Sequence, residues 1–130
     1  KEALAAASAS GSVDEDASTL KVFMAPEFLL RGPRGAYSMK VLLGDKSKAG
    51  LFAELSALVR GDVWKNWLIV FGTIVGYIDL PDGGVFPCYN CACAQLGGWN
   101  TEEERDSGSV AIMKTFKSGI DFLQKPEDIL

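Results

Sequence analysis

The chain alternates short apolar runs with polar breaks. "LKVFM", Leu20 to Met24, is a β-compatible run closed by Pro26. Proline holds Ala25 away from helical geometry, so the backbone stays extended up to Glu27. "RGPRG" then interrupts regular structure with two glycines and a proline. "YSMKVLLG" reads equally as a short strand or a helix start. In "KAGLFAELSALVRG", Leu51, Phe52, Leu55, Leu58 and Val59 recur at three- and four-residue spacing. That spacing predicts a helix with one apolar stripe, stopped at Gly61. "NWLIVFGTIVGYIDL" is a continuous apolar run rich in β-branched and aromatic residues. It predicts one or two strands covered on both faces, with bends or close backbone contact at Gly72 and Gly76. After a "PDGG" turn, "VFPCYNCACAQLGG" is a third strand candidate. "TEEERDSGS" reads as a charged loop, and "VAIMKTFKSGIDF" begins as a fourth strand. The order strand, helix, strand, strand, strand predicts an α/β (α+β) fold with a helix packed on a mainly buried sheet. The Ala-, Ser- and acid-rich residues 1–19 are expected to form a flexible segment, helical at most in its first part. Residues 20–130 are expected to form the domain.

Composition narrows the function. The chain has 130 residues, suiting a single domain, and 48% are hydrophobic, enough for a core. A formal charge of −4 and a pI near 4.8 argue against nucleic acid or an anionic membrane as the main partner. No apolar stretch reaches the roughly 20 residues that span a bilayer. The three cysteines sit together in "CYNCAC", a poor disulfide framework, so a reduced, cytoplasmic setting is expected. The chain has no histidine, which removes Ser-His-Asp and Cys-His catalysis and His-based zinc sites within it.

Glu27 ends an apolar strand, where ligands of α/β sheets tend to bind, so it is a candidate base as well as a plausible turn carboxylate. Lys114 and Lys117 follow the fourth strand; each is either a snorkelling edge residue or a fixed cation that stabilises developing negative charge. The C-x-x-C-x-C cluster lacks a fourth zinc ligand, and no metal site is expected. Cys91 and Cys93 should face one side of a strand as small core residues. Arg31 and Arg34 offer an anion contact but lack the strand-to-helix glycine pattern of a phosphate loop.

Together these segments resemble the carbon–nitrogen hydrolase (nitrilase/amidase) superfamily. "KVFMAPEF" is similar to its apolar strand ending in Pro-Glu. "LFAELSALVRGDVWKNWLIVFGTIVGYI" is similar to the following helix and the strand with a Gly-Thr pair, here Gly72-Thr73. "YNCACAQLGG" is similar to the next strand, and "VAIMKTFKSGIDF" falls where the family carries its lysine. The resemblance covers roughly residues 20–122. It implies hydrolysis of non-peptide carbon–nitrogen bonds in an amide or nitrile by a Glu-Lys-Cys mechanism without a cofactor. In that mechanism the Glu takes the thiol proton and the thiolate attacks carbon. The Lys stabilises the tetrahedral intermediate, an amine leaves, and water releases the acyl group. Glu27 would be the base and Lys114 the cation, with Lys117 in reserve. The two side chains are expected to converge across neighbouring strand tips. The family's nucleophile lies beyond the lysine, so Cys88, Cys91 and Cys93 are not assigned that role. The family domain is an α-β-β-α sandwich of two sheets between helix layers and is about twice this length. The chain is therefore expected to be a partial nitrilase-like domain with broad apolar surface, forming a homo-oligomer or associating with a missing half. The alternative is a non-enzymatic interaction or assembly module.

Overall fold

The structure, a computed structural model, describes residues 1–32, 35–81 and 85–114, the side chains of 85–88 excepted. Helix α1 (Glu2–Ser8) precedes strand β1 (Lys21–Met24). Next come β2 (Tyr37–Ser38), α2 (Met39–Leu43) and α3 (Leu51–Ala57). A 3₁₀ turn (Asp62–Trp64) leads into β3 (Trp67–Asp79) and β4 (Val85–Leu96), followed by α4 (Glu102–Ser107) and β5 (Ser109–Met113). The class is α+β, with helices beside a five-stranded mixed sheet of order β1-β3-β4-β5. Strand β2 shares an edge of β3 with β1, further along: β1 pairs with Trp67–Val70 and β2 with Gly76–Tyr77, both in parallel. Strands β3, β4 and β5 pair antiparallel in sequence.

The core lies on one face of this sheet. Trp67, Ile69, Phe71 and Ile74 of β3 and Cys93 of β4 pack with Leu42 of α2, Leu55 of α3 and Val59 just beyond it. Val59, Ile69 and Ile74 are almost wholly withdrawn from water, each contributing roughly 1.5–3 kcal/mol. Trp64 meets Trp67 edge to face, centroids 5.7 Å apart. Helix α3 thus buries the predicted stripe. "YSMKVLLG" supplies both alternatives, because Ser38 ends β2 and its hydroxyl caps α2 by accepting from the Lys40 amide at 3.2 Å.

Three expectations change. The segment before residue 20 is anchored to the core: Leu4 of α1 is buried there and Ala7 and Val13 pack against it. "TEEERDSGS" is not a loop but carries α4. Thr101 accepts from the Glu104 amide while the Glu104 carboxylate accepts from the Thr101 amide, a reciprocal cap that starts a helix without an apolar stripe. The long run 67–79 is one strand, and its second face is only half-buried. On that face Val22, Met24, Leu96, Val110 and Ile112 stand exposed, in register with Leu68, Val70, Ala92 and Ala94.

Candidate functional site

Strand β1 stops because β3 bulges. The β3–β4 register slips between Val70 and Thr73, and Gly72 sits there with φ +78°. A Cβ on Gly72 would lie 2.5 Å from the carbonyl oxygen of Pro26, so only glycine lets the departing chain cross the strand at this point. The Ala25 amide makes a last bond to Val70 O at 2.8 Å. Pro26, having no amide hydrogen, then ends the pairing. Glu27 follows in an exposed turn closed by the Leu29 amide on Pro26 O at 3.3 Å.

At the far side of the sheet, the Lys114 amide donates to Asn90 O at 2.8 Å, extending the β4–β5 ladder by one residue. Its side chain is exposed. Strand β5 runs in the same direction as β1, since β1 is parallel to β3 and the two reversals from β3 to β4 and from β4 to β5 cancel. Glu27 and Lys114 therefore both lie past the carboxyl ends of co-directional strands, at one end of the sheet. They do not occupy neighbouring tips. Strands β3 and β4 stand between them, a separation of about 14 Å at strand level from three inter-strand spacings. The β3–β4 antiparallel pair inserts between the two, which the sequence order alone does not reveal.

The intervening strands carry polar side chains in that gap. Thr73 is opposite Ala92 and Val75 opposite Asn90, so Thr73 and Asn90 are diagonal neighbours on the sheet face turned away from the helices. Asn90 is 4% exposed. Its Oδ1 and the Thr73 Oγ1 are buried without a hydrogen-bond partner. A polar residue inside an otherwise apolar strand was the available signal for both.

Cys91 and Cys93 line up on the helix-side face as expected, with free thiols. Burial pushes the Cys93 thiol up to about 11, helped by the neighbouring Cys91, and burial also raises Cys91. Such thiols are poor nucleophiles near neutral pH. The Cys88 side chain, Arg34 and Lys117 lie outside the described residues. The Arg31 guanidinium stacks on the Phe28 ring at 5.6 Å. Among the described residues no group of acidic and cysteine side chains could hold a metal, and no helix is long and apolar enough to cross a membrane.

A groove of ≈ 380 Å³ opens on the helix side, among Phe52, Phe71, Cys93, Arg105 and Ala111. Its buried polar residues are Ser56 and Gln95; Gln95 Oε1 accepts from Ser56 Oγ at 2.9 Å and lies 2.6 Å from Ser109 Oγ. Gln95 Nε2 donates to the Arg105 and Leu96 carbonyls, each at 3.1 Å. Neither Glu27 nor Lys114 lines this groove. Comparison with protein-family models, with curated proteins and with solved structures found no match.

Proposed function

We propose that this chain is a nitrilase/amidase-like unit for non-peptide carbon–nitrogen bonds, contributing Glu27 as base and Lys114 as cation. The observation that carries the reading is their common position: both follow the carboxyl ends of co-directional strands at one end of the sheet, where such sheets bind ligands. A ligand between them has its leaving nitrogen toward the carboxylate and its developing oxyanion toward the ammonium. The raised thiols of Cys91 and Cys93 leave them outside the reaction. Butyramide binding, followed by chemical-shift perturbation, tests the pair. Glu27→Gln and Lys114→Met should each weaken it about tenfold, the worth of roughly one charge-assisted hydrogen bond. Unchanged binding in both variants removes the assignment. Mass spectrometry should find no acyl adduct on Cys91 or Cys93 after incubation with the amide or with butyronitrile.

The open apolar sheet face favours a second reading, an assembly module that pairs with a second copy of itself. Met24 is 73% exposed and Ile112 64%. The rows Val22–Leu68–Leu96, Met24–Val70–Ala94–Val110 and Thr73–Ala92–Ile112 hold no charge that a second copy would bury unpaired. Two such faces stack in the manner of a β-sandwich, about 10 Å apart. Light scattering across a concentration series should give a dimer that Ile112→Lys dissociates. A wild-type monomer throughout counts against this reading.

A further inference from the structure

Strand β5 (Ser109–Met113) ends the sheet on its side: among the described residues it pairs with β4 alone. All of its residues are exposed, and Val110, Ile112 and Met113 are large and apolar. The ladder fixes which of its peptide groups point outward. The Leu96 amide donates to Gly108 O and the Lys114 amide to Asn90 O, each at 2.8 Å. Along an antiparallel pair, the residues that bond a given neighbour alternate. The register therefore turns the peptides of Gly108, Val110, Ile112 and Lys114 toward β4, and those of Ser109, Ala111 and Met113 away from it. The opposite margin of the sheet is guarded. Strand β1 begins at Lys21 and is stopped by Pro26, and β2 has only two residues. Charge, proline and shortness keep an edge from recruiting another strand. Ser109–Met113 has neither charge nor proline.

We propose that β5 is a docking edge for a second copy of this chain, which adds its own β5 antiparallel about a two-fold axis at Ala111 and so continues the sheet across both copies. The segment is complementary to itself in that register. Ala111 lies opposite Ala111 of the second copy and Ser109 opposite Met113, so every outward amide of the strand meets a carbonyl. Val110 faces Ile112 across the junction, on the sheet face turned away from the helices, and the symmetry makes this apolar cross-strand pair twice. Lys114 of each copy lies opposite Gly108 of the other, just past the last turn of α4, the negative end of an acidic helix. This contact goes beyond the face stacking described above, since peptide groups carry it and the faces need not meet. It also bears on the helix-side groove, of which Ser109 and Ala111 form part: Met113 of the second copy, set beside Ser109, extends its wall.

Amide hydrogen exchange of the full chain across a concentration series, read by NMR alongside light scattering, tests the edge. As the dimer forms, the Ser109, Ala111 and Met113 amides should slow about tenfold or more, while Val110 and Ile112, already bonded to β4, change little. Ala111→Pro removes one outward amide and leaves the β4 ladder whole. It should be monomeric with the far-UV circular dichroism of the parent. Ala111→Lys and Ala111→Glu set like charges face to face across the axis. Each should be monomeric, and mixing the two should give a heterodimer, a rescue that misfolded variants would not show. Met24→Lys, on β1, should break stacked faces and leave the slowed amides as they are. If it does so while Ala111→Pro is monomeric, the edge stands and face stacking falls. A dimer whose three outward amides exchange as fast as in dilute chain assigns the contact to the faces and overturns the proposal, as does loss of the slowing in Met24→Lys. A monomer at every concentration overturns it too. So do outward amides already slow at the lowest concentration, which place another part of the same chain on the edge, and charged variants that do not pair when mixed.

Discussion

Gln95 and Asn90 are both amides buried in β4, on opposite faces, and their surroundings differ completely. Gln95, 3% exposed, has its oxygen beside two serine hydroxyls and its nitrogen on two carbonyls. It ties α3, α4 and β5 to the strand. Asn90, 4% exposed, has an oxygen with no partner and lies on the sheet face turned away from the described helices. The first amide is architecture: its hydrogen bonds are complete and it joins elements that are distant in the chain. The second is a retained cost: its oxygen is withdrawn from water and joins nothing.

The largest break in this contrast is Gln95→Leu. It strands Ser56 Oγ, while the Arg105 carbonyl keeps Ser109 Oγ as a donor, and stability to urea should fall by about 2 kcal/mol, the cost of the buried group left unpaired. The corresponding change at Asn90 removes an oxygen that has no partner, and its cost should be smaller. Gly72→Ala comes next. The added methyl meets the Pro26 carbonyl at 2.5 Å in a backbone with φ +78°, costing about 2 kcal/mol and displacing the Glu27 turn. Urea unfolding reads the first effect, and loss of butyramide binding reads the second.

Thr101→Ala sharpens the Gln95 side, because α4 holds the carbonyl that Gln95 donates to. Loss of the cap should cost about 1 kcal/mol. Glu104→Gln, which alters the other half of the cap, should remove a pH dependence. Hydrogen bonds from the Asn100 and Thr101 amides hold the Glu104 carboxyl below its ordinary 4.5. Its contribution is therefore present above that value and is lost as pH falls through the lowered one. Thermal melts between pH 5 and pH 3 check the sign. The smallest effect concerns the thiols between the two amides. Cys93 should resist iodoacetamide at pH 8 in the folded chain and react on unfolding. Its raised thiol, about 11 against an ordinary 9.0, makes stability fall as pH rises from 9 toward 11, since only the unfolded chain ionises there.

Elements with a period were legible in the sequence. The stripe Leu51–Leu55–Val59 marked α3, and apolar runs marked β1, β3, β4 and the start of β5. Helix α4 was not, because six polar residues without a buried one carry no periodic signal, and only the Thr101/Glu104 spacing announces it. The reading of β3 as covered on both faces failed for a related reason: a continuous apolar run says nothing about what lies against each face. Glu27 and Lys114 were legible as strand-end residues. Their separation was not, since strand order follows from pairing and not from chain order. Thr73 and Asn90 appeared in the sequence as parts of Gly-Thr and Tyr-Asn pairs. Their unpaired burial exists only in three dimensions.

Because β1 leaves at Val70 and β2 arrives at Gly76, one margin of the longest strand carries a notch. Along it, among the described residues, no strand pairs with β3, directly beside the Glu27 turn. The Ala25–Pro26 backbone crosses that notch against Gly72, so the Glu27 turn is held to the margin by close main-chain contact where a ladder of paired peptides would otherwise continue.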